Sequence, residues 1–266
     1  MGAKALVHLS DLHLGCSSAT EEAARRFRDL LLRDDAGHVV VTGDITHRGR
    51  HADLARFKEI FRPLQDAGRL TVIPGNHDRN GEDCGADLMR GRLVTVVDRP
   101  GLHLVCVDTT GPHNRQIIQA EGILLSSTLL EIEKAVTRAP AESLVVVLLH
   151  HHLLPLPVEG FGEWFADQVG WSNAEELRLG RRLIARLRGR CDLILHGHRH
   201  VPAQIELFQD TARPLGVYNA GSSTELERAR VFQHDGGRLL GPPRWMHAHG
   251  RARRISSPPA VTLPAW

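Results

Sequence analysis

Short apolar runs alternate with stretches of helical periodicity along most of the chain. Residues 5–10, 38–42, 70–73, 102–107, 143–149 and 192–195 read as strands, and 143–149 is the most apolar of them. Between them lie amphipathic segments. Thr20 can cap a helix that opens on Glu21 and Glu22 and runs through Phe27, Leu30 and Leu31. Residues 51–65 carry Leu54, Phe57, Ile60, Phe61 and Leu64 on one face, with Gly68 as the stop. Residues 127–136 read as helix, and Asn173 with Glu176 resembles a capping box that opens a helix to Leu187. Three later runs, 203–208, 215–218 and 230–232, are strand-like and have no helices between them.

Strands separated by helices call for a layered α/β fold, and the late run of strands adds antiparallel pairing. The expected architecture is a four-layer αββα sandwich, two packed mixed sheets flanked by helices. It covers residues 1–240, and an irregular tail rich in Pro and Arg follows at 241–266.

Composition narrows the class. Of the 266 residues 42% are hydrophobic and 24% charged, a core-forming mixture that excludes bulk disorder. No run approaches the roughly 20 apolar residues of a membrane helix. A net charge of +2 supplies no global field toward nucleic acid or an anionic membrane. Cys16, Cys84, Cys106 and Cys191 form no C-x-x-C pair, and the first residues lack a signal-peptide pattern. Free thiols in a reduced, cytoplasmic protein are expected; two disulfides in a secreted protein are the alternative.

One count is out of line: 17 His against one Tyr and seven Phe. Histidine is a poor core filler, so metal ligation is the first explanation to consider. Five polar clusters follow strands: Asp11-Leu12-His13, Gly43-Asp44, Gly75-Asn76-His77-Asp78, His150-His151-His152 and Gly197-His198-Arg199-His200. Singly, most have ordinary readings, Asp11 as a cap and Gly43-Asp44 as a turn. If the chain stays extended, Asp11 and His13 leave on one side, as do His198 and His200. Open α/β sheets place ligand sites beyond the carboxyl ends of their strands. Five such ends, each with oxygen or nitrogen donors, point jointly to a binuclear metal centre.

This ordered set resembles the calcineurin-like metallophosphoesterase superfamily. Gly43-Asp44-Ile45-Thr46, Leu148-Leu149-His150-His151-His152, Val107-Asp108-Thr109 and Asn219-Ala220-Gly221-Ser222-Ser223 are similar to its bacterial class III cyclic-nucleotide phosphodiesterase branch. The resemblance implies two divalent cations, Mn²⁺, Fe²⁺/Fe³⁺ or Zn²⁺. Asp11, His13 and His200 would hold one, Asn76, His150 and His198 the other, and Asp44 would bridge them. The choice of His150 over His151 rests on aligning the three-histidine run. Leu153 stands where Pro commonly follows those histidines, a departure that bears on the local loop.

By the same resemblance His77 is the general acid, with Asp78 hydrogen-bonding its ring. Two cations clamp phosphoryl oxygens and acidify a shared water, which attacks in line. A histidine, titrating near neutral pH, can protonate the leaving alkoxide. The expected substrate is a small phosphodiester, a cyclic nucleotide among the options, contacted by Asn76, His77, His151 and Arg115, with His113 and Asn114 nearby. An aromatic-rich stretch at 153–171, with Phe161, Trp164, Phe165 and Trp171, reads either as a lid or as a satellite core.

A DNA nuclease or phosphomonoesterase on the same centre is the competing reading. Arg244, Arg251, Arg253 and Arg254 give nucleic acid weak support. A non-catalytic scaffold would not need every ligand plus His77. No membrane partner is expected, and a homodimer is compatible with the sequence.

Overall fold

A computed structural model describes residues 3–33, 37–115, 119–154 and 177–249. Two sheets pack face to face. The first has five described strands and the second six. The first sheet comprises β1 (Lys4–Leu9), β2 (His38–Thr42), β3 (Leu70–Ile73), β10 (Arg228–His234) and β11 (Arg244–His247). The second comprises β4 (Val94–Arg99), β5 (Leu102–Val107), β6 (Leu144–Leu148), β7 (Leu193–His196), β8 (Ala203–Leu207) and β9 (Leu215–Asn219). The strand orders are β11-β10-β1-β2-β3 and β4-β5-β6-β7-β9-β8, and both sheets are mixed: in the first only β10 runs against the other strands, and in the second the outer strands β4 and β8 run against β5, β6, β7 and β9.

Residues alternate across each strand, so these buried strands feed two cores. Val7, Leu9, Val39 and Val41 face α1 (Ser18–Arg33) and α2 (His51–Asp66), with Phe27, Phe57 and Phe61. Their neighbours Leu6 and Val40 face the other way, into the layer shared with Leu104, Cys106, Val146 and Leu148 of the second sheet. Val105, Val107, Val145 and Val147 pack outward against α3 (Ser126–Thr137) and α4 (Gly180–Leu187). The expected αββα layering is the observed one.

Several boundaries differ from expectation. The α1 cap is Ser17, whose Oγ accepts from Thr20 N at 3.3 Å; Thr20 lies within the helix. β4 was not foreseen, because its edge position leaves it half exposed and mixed in polarity. The reading of everything beyond Gly241 as irregular is corrected: Arg244–His247 form β11, paired antiparallel with β10, so the first sheet extends past residue 240. The described part of the helix expected from Asn173 begins at Gly180; Asn173, Glu176 and the aromatics at 161–171 lie outside the described residues. All four cysteines are free, and no described helix is long and apolar enough to cross a membrane.

Candidate metal centre

The carboxyl ends of β1, β2, β3, β6 and β7 open at one end of the sandwich, and the five clusters meet there. The chain does not stay extended at these ends, as the sequence reading supposed. Asp11, His13, Asp44, His198 and His200 all have positive φ, between 47° and 77°. This left-handed conformation costs a non-glycine residue about 1–2 kcal/mol and is tolerated where the surroundings enforce it. Here they do. Asp11 N donates to Gly43 O at 3.1 Å and His13 N to Asp44 O at 3.0 Å. Ser222 Oγ donates to Asp11 O at 2.8 Å, and Thr224 Oγ1 to Leu12 O at 2.9 Å. A second short helix, α5 (Ser223–Leu226), sets these hydroxyls in place.

Two groups of donors share Asp44. On one side Asp11, His13, Asp44 and His200 offer ligand atoms all within 4.8 Å of one another. His13 Nε2 lies 2.9 Å from His200 Nε2 and 3.8 Å from Asp44 Oδ2. On the other side His150 Nε2 lies 3.4 Å from Asp44 Oδ2 and 3.1 Å from Asn76 Oδ1, which is 3.0 Å from His198 Nδ1. Of the neighbouring histidines, His150 is thus the one that converges with Asp44 and Asn76. His151 turns its Nδ1 to Thr109 Oγ1 at 2.7 Å.

Tautomers are set from outside the cluster. His150 Nδ1–H donates to Thr42 O at 2.7 Å, so Nε2 is the nitrogen turned toward Asp44 and Asn76. His200 Nδ1 faces Glu225 Oε2 at 3.4 Å, so its Nε2 faces Asp11 and His13.

Electrostatics favour a cation. Burial holds His13 down to about 3 and keeps His198 well below the usual histidine range, so both imidazoles are neutral and able to ligate. Burial alone would raise Asp44, but His150, His77 and His13 hold its carboxyl well below the usual range. Burial opposes a charge on His150, yet Asp44 and Asp11 push it up to about 9. A proton on His150 is therefore what a cation would displace.

Residue sizes fit as well. A Cβ on Gly75 would overlap Asp44 Oδ1 and the Asp44 backbone nitrogen; one on Gly197 would overlap Ser10 Oγ and Asp11 Oδ2. Oxygen and imidazole donors without thiolate fit Mn²⁺, iron or Zn²⁺.

Asp78 does not contact the His77 ring, contrary to expectation. It is fully buried, and its two oxygens accept from Ile45 N, Thr46 N, Thr46 Oγ1 and Gly75 N at 2.8–3.2 Å. Burial, with Asp44 nearby, pushes Asp78 up to about 6. The partner of His77 Nδ1 is instead the His47 carbonyl, at 2.8 Å. His77 N also donates to Asp44 Oδ1 at 2.8 Å.

His47 itself was not singled out by sequence. It stacks on His77 with ring centroids 5.7 Å apart and joins His13 and His77 in a second cluster of ligand atoms. Its position three residues after Asp44, in the same loop, was the available signal.

Arg115 is engaged by Asp83 at 2.6 Å, while Asn114 and His113 hydrogen-bond within their own loop, to Gln119 and Glu121. These contacts do not place the three residues on a substrate.

An αββα sandwich with carboxylate, amide and imidazole donors gathered at one end of its sheets has the form of a two-metal hydrolase scaffold. The chain belongs to the calcineurin-like phosphoesterase family, whose model matches residues 5–202. It is 26% identical over 172 residues to a probable glycerophosphodiester phosphodiesterase GpdQ of Arcobacter nitrofigilis, covering 61% of this chain and 56% of that protein. It is 19% identical over 244 residues to a probable cyclic nucleotide phosphodiesterase of Ruthia magnifica, covering 90% of this chain and 95% of that one. Among solved structures, a purple acid phosphatase from yellow lupin superposes with a TM-score of 0.69 at 14% identity, over 95% of this chain and 53% of its own, which speaks to fold alone. The chain thus spans only about half of the first relative and of the lupin enzyme.

Proposed function

We propose that this protein is a dimetal phosphodiesterase acting on a small phosphodiester. The observation that carries the reading is Asp44, whose carboxylate belongs to both donor groups while its Oδ1 also accepts from the backbone of His77. Asp11, His13, Asp44 and His200 would hold one cation, and Asp44, Asn76, His150 and His198 the other. When bound, two divalent cations clamp phosphoryl oxygens and acidify water.

The chain's own residues supply the rest. Neutral Asn76 and the neutral imidazoles keep the ligand charge low, so an anionic ester is not repelled. His77 donates Nδ1–H to the His47 carbonyl, which fixes the ring and leaves Nε2 to carry a proton to the leaving alkoxide. Asp78 holds the loops of Asp44 and Asn76 together rather than serving the ring. His151, fixed by Thr109, lines the site beside His198 with ring centroids 4.8 Å apart and an unpartnered, buried Nε2.

The names of the two relatives support a phosphodiester, with cyclic nucleotides and glycerophosphodiesters as the classes to try first. The free thiols support a reducing, cytoplasmic setting.

Mn²⁺-loaded protein is expected to hydrolyse bis(p-nitrophenyl) phosphate far faster than Asp44→Ala. Equal rates for the two would remove the reading. A panel of cyclic nucleotides, glycerophosphodiesters, single-stranded DNA and p-nitrophenyl phosphate separates diesterase from nuclease and monoesterase.

A further inference from the structure

At the end of the sandwich opposite the metal ligands, the two sheets leave a cavity of about 580 Å³. That is within the roughly 300–1,000 Å³ of small-molecule sites. Lys4 begins β1 and Asp11 lies beyond its end, seven residues on; at about 3.3 Å per strand residue the cavity is roughly 20 Å from the metal centre. The walls include Lys4, His38, Arg69, Arg99, Gln233 and His234, drawn from both sheets.

Among the described lining residues the charge is of one sign. Three cationic side chains line the cavity, and no Asp or Glu is among the described lining residues. Lys4 Nζ donates to Pro100 O at 2.9 Å. Arg99 donates to Gly68 O at 3.0 Å and to Asp98 O at 2.9 Å. These carbonyls orient the two cations without neutralising them, and among the described residues neither is paired with a carboxylate. The nearby Asp98 carboxylate is taken by His103 at 2.7 Å.

A second observation is independent of charge. His234 is 1% exposed, lines the cavity, and has neither ring nitrogen hydrogen-bonded. A buried polar group without a partner is costly, and an oxygen-rich ligand would remove that cost. Its neighbour His38 is already satisfied, with Nε2 2.8 Å from Thr71 Oγ1, so the shortfall is specific to His234.

We infer that this cavity is a second anion site, built to take the phosphate group of a small molecule between Lys4 and Arg99 with His234 as a hydrogen-bonding partner. The phosphate can arrive as inorganic phosphate or on a nucleotide. The inference does not depend on the reaction at the metal centre.

The test is calorimetric titration of the Mn²⁺-loaded protein with inorganic phosphate and, separately, with adenosine monophosphate. Two classes of site are expected for at least one probe, one of them at the metal centre. In a Lys4→Ala/Arg99→Ala variant one class should weaken at least tenfold, the order lost with a charge-assisted hydrogen bond. Turnover of bis(p-nitrophenyl) phosphate without added ligand should stay at the wild-type value. Arg99→Gln, at an exposed position, gives the same reading should the double variant fold poorly. In Asp44→Ala the Lys4–Arg99 class should persist, which separates this inference from the functional one. If both probes bind the second class equally, the phosphate alone is recognised; if only the nucleotide binds it, the organic part contributes. Both results support the site. A single class in wild-type protein, or two classes unmoved by the Arg99→Gln and double variants, would overturn it.

Discussion

Asp78→Asn distinguishes what this carboxylate does. If Asp78 oriented the His77 ring, the substitution would slow proton delivery and leave the fold intact. The geometry says otherwise. Asp78 Oδ1 accepts from Thr46 N and Thr46 Oγ1, and Oδ2 accepts from Ile45 N and Gly75 N. An amide turns one acceptor into a donor. If it takes the Oδ1 place, the Thr46 hydroxyl can rotate to accept, but Thr46 N is left unpaired. If it takes the Oδ2 place, two backbone N–H groups lose their partner. The amide takes the first place, with one unsatisfied buried N–H, so the loss is about 1–3 kcal/mol. For a chain of this size that lowers the Tm by roughly 2–12 °C. The assay pairs scanning calorimetry of Mn²⁺-loaded protein with turnover of two diesters, one leaving as p-nitrophenolate and one as an alkoxide. Tm should fall, and the two rates should fall by the same factor, because the loops carrying Asp44 and Asn76 loosen together. An unchanged Tm with only the alkoxide ester slowed would refute the assignment and restore a role through His77.

Three further outcomes are expected. His77→Ala should cost on the order of 10²–10⁴ in kcat for an alkoxide leaving group and much less for p-nitrophenolate; equal losses for both esters would exclude proton transfer from this residue. Gly75→Ala should lower bound Mn²⁺ below two per chain in elemental analysis, since the added methyl overlaps Asp44; full metal occupancy would contradict the packing. His38 is lowered from 6.5 to about 4 by burial, then by Arg99 and Arg69. Its folded form therefore binds fewer protons than the unfolded chain between those values, and stability falls as pH drops from about 6.5 toward 4, by up to about 3 kcal/mol from this group. Urea unfolding at pH 7 and pH 5 should show the fall, smaller in His38→Gln; an identical pH dependence in the variant would rule His38 out as its source.

The layered fold and the meeting of five clusters were legible because each cluster announces itself locally: an apolar run, then a turn, then donors. What sequence did not convey depends on partners without a side-chain signature. The atom that holds the His77 ring is a backbone carbonyl, which any residue at position 47 would supply. The neighbouring Asp78 looked like the natural partner, yet four donors from the Ile45–Thr46 and Gly75 loops had already claimed it. The left-handed turns at Asp11 and His198 were hidden for a similar reason, since residues favouring that conformation less than glycine are forced into it by contacts made far along the chain. β11 was missed because its short run, Arg-Trp-Met-His, sits amid Pro and Gly and owes its pairing to β10.

The support of the Asp11 turn has a temporal consequence. Ser222, Ser223 and Thr224 secure a segment made more than 200 residues earlier: the bond from Ser222 to Asp11 O spans 211 positions. A ribosome adding about 5–20 residues per second leaves that turn unanchored for roughly 10–40 s. Strand β1 likewise lacks its β10 neighbour until the same late moment. A growing polypeptide should therefore gather its donor set only once residues 222–224 have been made, and a chain arrested before residue 222 should emerge unable to hold a cation there.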